Sequence, residues 1–173
     1  MKTASVILFS LPVLWVGCSG SSRTTTDVVV VSEEEVHHEV GEASAMPTSG
    51  EIADGVRAIL DDQVAAWNRG DIRGFMRGYE RSDSLVFISN GNMRRGWQTS
   101  LYAYVRNYPN QAAMGTLSFE DIKIVPLGED AALVFGMYRL QRENDEPLGL
   151  FSLVFKNTED GWRIIHDHTS SSP

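Results

Sequence analysis

From Gly115 onward the chain takes up a period-two pattern and holds it almost to its last residue. Leu117 to Leu127, Ala131 to Arg142, Leu148 to Asn157 and Trp162 to Ser170 are the segments that carry it. Side chains two apart share one face of a strand, so four consecutive strands are predicted. Between them lie Gly128-Glu129-Asp130, Asn144 to Pro147 and Thr158 to Gly161, all rich in turn residues. Parallel neighbours need a crossover of a dozen or more residues, so these short links predict an antiparallel meander. Strands of this length must curve. Gly136, Gly149 and the Glu120-Asp121 interruption are the expected sites of a bend or bulge.

Both faces of the later strands are apolar. Phe151, Leu153 and Phe155 fall on one face, Leu150 and Val154 on the other. An antiparallel sheet covered by helices on one side needs only one apolar face. The surplus predicts a partner, most simply a second copy of the same sheet. In the last strand, strict alternation puts Trp162, Ile164, His166 and His168 on one face. Arg163, Ile165, Asp167 and Thr169 then share the other.

Upstream the period is helical. Thr48 and Glu51 have capping-box spacing, and Ile52, Val56, Ile59, Leu60, Val64 and Trp67 follow at intervals of three to four, predicting an amphipathic helix. Gly70 is placed to end it in a left-handed cap. Asp71 can then cap a second, short helix carrying Ile72, Phe75, Met76 and Tyr79. Gly74 and Gly78 weaken that helix, so packing must hold it. Ser84 to Asn90 reads as a strand ending in the turn Asn90-Gly91-Asn92. Gly96 leads into a third helix with Trp97, Leu101, Tyr104, Val105 and Tyr108 on one stripe, stopped by Pro109.

The first fifty residues are of another kind. Lys2 precedes an apolar run, Ala4 to Val16, too short to span a bilayer as a helix, and Gly17-Cys18 closes it. Cys18 is the sole cysteine and has no disulfide partner in the chain. This pattern resembles a bacterial lipoprotein signal, although Trp15 stands where that pattern usually has Leu. The resemblance implies cleavage before Cys18, a lipid on its sulfur, and a place in the cell envelope. Ser19 implies the periplasmic side of the outer membrane.

Residues 19 to 49 read as a tether. His37, His38 and Glu39 lie in it, where adjacent side chains make a poor preformed metal site. The predicted organisation is thus a signal at 1–17, a lipidated Cys and tether at 18–49, one domain at 50–170 and a tail at 171–173. A formal charge of -8 excludes a general affinity for nucleic acid and leaves the lipid as the only link to a membrane.

Helix, short helix, strand, helix and four-stranded meander is the element order of the nuclear-transport-factor-2-like superfamily, and local stretches resemble its members. Val64-Ala65-Ala66-Trp67-Asn68-Arg69-Gly70-Asp71-Ile72 resembles the end of the first helix in ketosteroid isomerases. Leu127-Gly128-Glu129-Asp130-Ala131-Ala132 and Gly161 to Ser170 resemble the calcium/calmodulin-dependent kinase II association domain and SnoaL-like proteins. The resemblance covers about residues 50 to 170. It implies an α+β fold in which a cone-shaped, curved antiparallel sheet wraps around N-terminal helices and encloses a pocket. Relatives include isomerases, dehydratases, cyclases and assembly modules, so the fold leaves function to the site.

The resemblance also tests particular residues. The isomerase tyrosine falls at Gln63. The isomerase base falls at Phe87, or with a slip at Ile88 or Ser89. None of these exchanges a proton near neutral pH, so steroid isomerisation is not expected. The arginines of the association-domain pocket fall at Tyr138 (or Arg139), Leu153 and Thr169, so a three-arginine clamp is not expected either.

If Thr169 faces the pocket, Asp167 and Ile165 do too, and Asp167 becomes the candidate general acid or base. His166 and His168 would then lie at a dimer seam with Trp162 and Val154. There a metal pair would lack a third ligand, so no metal is expected. Trp67, Tyr79, Phe87, Trp97, Tyr104, Tyr108, Tyr138 and Phe151 would supply an aromatic lining suited to a flat, weakly polar molecule. The reading is a lipid-anchored, homodimeric module that binds a small molecule or serves assembly, without enzymatic activity or cofactor. Its alternative is an isomerase, dehydratase or cyclase using Asp167.

Overall fold

A computed structural model describes residues 46–171. The signal, Cys18, and the His37-His38-Glu39 stretch lie outside the described residues.

Helix α1 (Ser49–Asn68) begins at the expected capping box. Thr48 Oγ1 accepts from the Glu51 N–H at 3.2 Å, and the Glu51 carboxylate accepts from the Thr48 N–H at 2.7 Å. Two otherwise orphaned helix-end donors are satisfied this way. The helix buries Ile52, Val56, Leu60, Gln63 and Trp67 along one stripe. Gly70, at φ +81°, reverses the chain. Asp71 then caps α2 (Ile72–Phe75), its carboxylate accepting from the Gly74 N–H at 2.7 Å. One 3-10 turn (Met76–Gly78) ends the helical stretch early, and Tyr79 pairs as an isolated bridge with Ile164.

Strand β1 (Val86–Ser89) forms a hairpin with β2 (Asn92–Arg95), which period-two reading misses because Asn92-Met93-Arg94-Arg95 has no apolar alternation. The turn between them takes Asn90 and Gly91 to φ +50° and +74°, the paired positive values that a tight hairpin needs. Helix α3 (Trp97–Asn107) buries Leu101 but leaves Val105 exposed, and a further short helix, α4 (Gln111–Met114), follows it. The meander is β3 (Thr116–Pro126), β4 (Ala131–Gln141), β5 (Leu148–Thr158) and β6 (Gly161–Ser171), so Ser171 belongs to the last strand rather than to a tail.

The six strands form one curved, unclosed sheet in the order β2-β1-β6-β5-β4-β3. The four-stranded meander is antiparallel, as expected, and the added strand β1 departs from that pattern. β1 runs parallel to β6, with Phe87 opposite Asp167. The chain between them, which includes α3, α4 and three strands, supplies the long connection such a pair requires.

Two bulges bend the meander. One falls between Glu120 and Lys123, where Asp121 takes φ +52°. Gly136 and Gly149 stay in register and are not bulges. The other bulge lies in β6. Val154 pairs with His166 but Phe155 pairs with Ile164, so Ile165 is an extra residue. Strict alternation therefore fails there. Ile164 and Asp167, three apart, are both buried on the inner side. Trp162 also packs inward, its indole so close to α1 that a Cβ on Gly55 would lie 2.8 Å from it. Trp162 is not a residue of the outer face.

The core lies between the helices and the concave face, with Val56, Met76, Leu101, Phe155 and Ile164 fully buried. The convex face keeps Leu150 63% exposed and Phe135 39% exposed. No helix of the described residues is long and apolar enough to cross a membrane.

Candidate functional site

The concave sheet and the helices enclose a cavity of about 270 Å³. Its floor is aromatic. Trp67 meets Phe75 edge-on with centroids 5.1 Å apart and Tyr108 at 4.8 Å, while its Nε1–H donates to the Met114 carbonyl at 3.2 Å. Tyr104 lies 5.3 Å from Phe75 and 5.7 Å from Phe87. Such offset and edge contacts fix the rings, so the lining is preformed. Gln63 lies in the same floor, its Nε2 donating to the Phe75 carbonyl at 3.2 Å. Gly78 permits that approach, since a Cβ there would lie 2.8 Å from the Gln63 amide.

Asp167 is the one carboxylate of the lining and is only 3% exposed. Its Oδ2 accepts from the Tyr79 hydroxyl and its Oδ1 from the Thr169 hydroxyl, both at 2.8 Å. Burial raises its pKa to about 6, against the lowering influence of the two hydrogen bonds and of nearby His168. Burial first, and then the charge of Asp167, lift the phenols of Tyr79 and Tyr104 well above their ordinary value. Both stay protonated across the physiological range and remain donors. The group thus combines a carboxyl that changes charge near neutrality with neutral phenols beside it. That combination can move a proton and steady the negative charge left behind.

Gln63, Trp67, Tyr79, Phe87, Ser89 and Tyr104 all line the cavity, as do Tyr108, Tyr138, Phe151, Leu153 and Thr169. Two expected members do not. Trp97 turns away, donating from Nε1 to the Met76 carbonyl at 2.9 Å beneath the Arg81 guanidinium. Ile165, the extra residue of the β6 bulge, is not among the lining residues.

The isomerase-like position at Phe87 carries no base, but the residue opposite it in register is Asp167. A carboxylate therefore reaches the cavity from the neighbouring strand. Val154, His166 and His168 lie on the convex side, where His168, Phe135 and Leu150 line a second, more open depression. Among the described residues no group of three or more His, Cys, Asp or Glu is placed to hold a metal ion.

The structure also brings in two cations that sequence reading missed. Arg94, on the unexpected β2, has its guanidinium 5.8 Å from the Phe87 ring. Arg142, just past β4, lies 6.0 Å over the Tyr108 ring. The only sequence signal for Arg94 was the Asn90-Gly91 turn, which could have suggested a returning strand. Arg139, the alternative to Tyr138 at the association-domain position, lies on the convex face, bonded to Glu120 at 2.8 Å and also to Glu146.

Comparison with known proteins agrees with this fold. The family model for the SnoaL-like domain matches residues 56–173. A nuclear-transport-factor-2-like protein of unknown function from Shewanella oneidensis is 41% identical, with a TM-score of 0.67, over 69% of this chain and 98% of its own. A ketosteroid isomerase-like protein from Erwinia carotovora is similar in fold at 19% identity and TM-score 0.58, over 73% of this chain and all of its own. So is a putative calcium/calmodulin-dependent protein kinase II association domain from Xanthomonas campestris, at 18% identity and TM-score 0.58, over 75% and 94%. No curated protein matches the chain. By family match, close relative and fold together, the chain belongs to the SnoaL-like family of the nuclear-transport-factor-2-like superfamily.

Proposed function

We propose that the domain binds a small, flat organic molecule in the cone and that Asp167 exchanges a proton with it. One observation carries the reading. A carboxyl that is 3% exposed, with a pKa raised by burial to about 6, faces an aromatic cavity rather than a salt-bridge partner. Structural carboxylates are ordinarily held below their free value by a cation or several N–H donors. Asp167 has two hydroxyl donors instead. The chemistry this suits is proton transfer next to a carbonyl or a leaving group, as in an isomerase, dehydratase or cyclase.

A non-catalytic binding role is the second reading. It is favoured by the occupation of both carboxylate oxygens, which ties the end of β6 to Tyr79 and Thr169.

Hydrogen–deuterium exchange separates them. Small ketones and the molecule retained through native purification, identified by mass, are incubated with the protein in D2O. Proton transfer predicts deuterium uptake that Asp167→Asn slows by about 100-fold or more while affinity stays within a few-fold. Bound molecules that exchange no faster than in buffer would leave binding as the function.

The domain's setting is also a proposal. The lone Cys18 after its apolar run supports a lipid anchor in the cell envelope, and Cys18→Ser should then move the protein from the membrane fraction to the soluble one. Val154, His166 and His168, with the apolar Leu150 and Phe135 around them, support a homodimer through the convex face.

A further inference from the structure

The charges of the cavity run against those of the chain. The protein is acidic overall, at -8, yet besides its neutral phenols the lining carries two arginines, Arg94 and Arg142, against the single carboxyl of Asp167. Asp167 is already engaged by Tyr79 and Thr169. Arg142 is only loosely paired. Its Nε is buried and has no hydrogen-bond partner among the described residues. Its one ion pair is loose, 3.6 Å from Nη1 to an Asp145 carboxylate that is itself more than half exposed. Arg139, three residues earlier, shows what a saturated arginine of this protein looks like, with Glu120 and Glu146 both bonded to it.

The backbone is built to admit the Arg142 stem. Gly115 takes φ +66°, and a Cβ on it would lie 2.7 Å from Arg142 Cγ and 2.5 Å from the Gln141 carbonyl. Only glycine holds that conformation without strain and leaves room for the side chain. The guanidinium then lies over the face of Tyr108, 24% exposed as a side chain, among rim residues of the cavity such as Asn107 and Ser171. Stacking on an aromatic face orients the planar fork. The loose pairing of Arg142 with an exposed carboxylate leaves terminal N–H donors able to take a further acceptor at the cavity.

We propose that Arg142 anchors a carboxylate on the molecule occupying the cone, with Arg94 adding positive potential from β2 and the apolar body of the ligand lying between them and Asp167. A carboxylate is the acceptor that the terminal N–H groups of a guanidinium recognise as a fork. The inference rests on the cone being a ligand site and says which class of ligand that site selects: a flat organic acid.

The test uses two probes of equal shape, 2-naphthoate and 2-naphthamide, titrated calorimetrically into the purified protein at pH 7. The wild type should bind the acid about tenfold more tightly than the amide, the size expected for one charge-assisted hydrogen bond. Arg142→Gln should bring the ratio to about one. Asp145→Asn, which breaks the same ion pair but keeps the guanidinium, should preserve it, and so controls for local unfolding. Equal affinities for acid and amide in the wild type would overturn the carboxylate anchor while leaving the cone a binding site. A preference undiminished in Arg142→Gln would likewise remove Arg142 from the role. Failure of both probes to bind at millimolar concentration would count against the ligand site itself, and the inference with it.

Discussion

The two faces of β5 and β6 are built from similar residues and do different things. On the concave face Phe151, Leu153, Phe155 and Ile164 are buried, and the one titratable group, Asp167, is driven toward its neutral form. On the convex face Leu150 stands 63% exposed beside Val154, His166 and His168. A single extra residue, Ile165, separates these fates. Anchored at Ile164, strict alternation would have sent His166 into the cone and Asp167 out. The bulge keeps the Ile164 core contact and still delivers the carboxyl to the cavity. The difference teaches that the chemistry of this domain depends on a register detail, not on composition.

The largest effect should come from setting a buried residue against its neighbour on the other face. Phe155→Ala, at a fully buried position, is expected to cost about 3–5 kcal/mol in urea unfolding. Val154→Glu, next to it but pointing outward, should change stability by less than about 1 kcal/mol while converting the proposed dimer to a monomer by light scattering. A dimer that survives Val154→Glu would break the assignment of the convex face as the seam.

A smaller effect sharpens the concave side. Asp167 has a higher pKa folded, about 6, than its ordinary 3.8, so the folded state binds more protons between those values. Stability therefore falls as pH rises through this window, by an amount on the order of 3 kcal/mol once both forms are ionised. Asp167→Asn removes that penalty. It should melt several degrees higher than the wild type at pH 8, and the gap should close toward pH 4. A gap that is constant with pH would mean that the carboxyl is not desolvated by the cavity.

Much of the fold was legible because its signals are local. The Thr48–Glu51 capping box, the Asp71 cap, the Gly70 reversal and the long alternating strands each depend on residues within a few positions of one another, and each is found. Most of the aromatic lining followed, since inward positions of a curved sheet under helices can face only the core or the cone. Trp97 and Trp162 escaped this logic. Being on an apolar stripe does not say which neighbour a large ring will meet, and these two meet the Met76 carbonyl and Gly55. Arg94 and Arg142 escaped for a different reason, since charged residues at strand ends read as solvated.

The sequence by itself determined most of the elements, their order and the sides of most strand residues, because periodicity and caps are short-range properties of the chain. Tertiary structure alone decided the rest. It laid β1 parallel to β6 so that Phe87 faces Asp167, placed the bulge at Ile165, and brought Tyr79 within 2.8 Å of a carboxyl 88 residues away. It also carried two arginines to an aromatic cavity. These are long-range pairings, set by how the sheet must curve to cover the helices, and a desolvated Asp167 is their consequence.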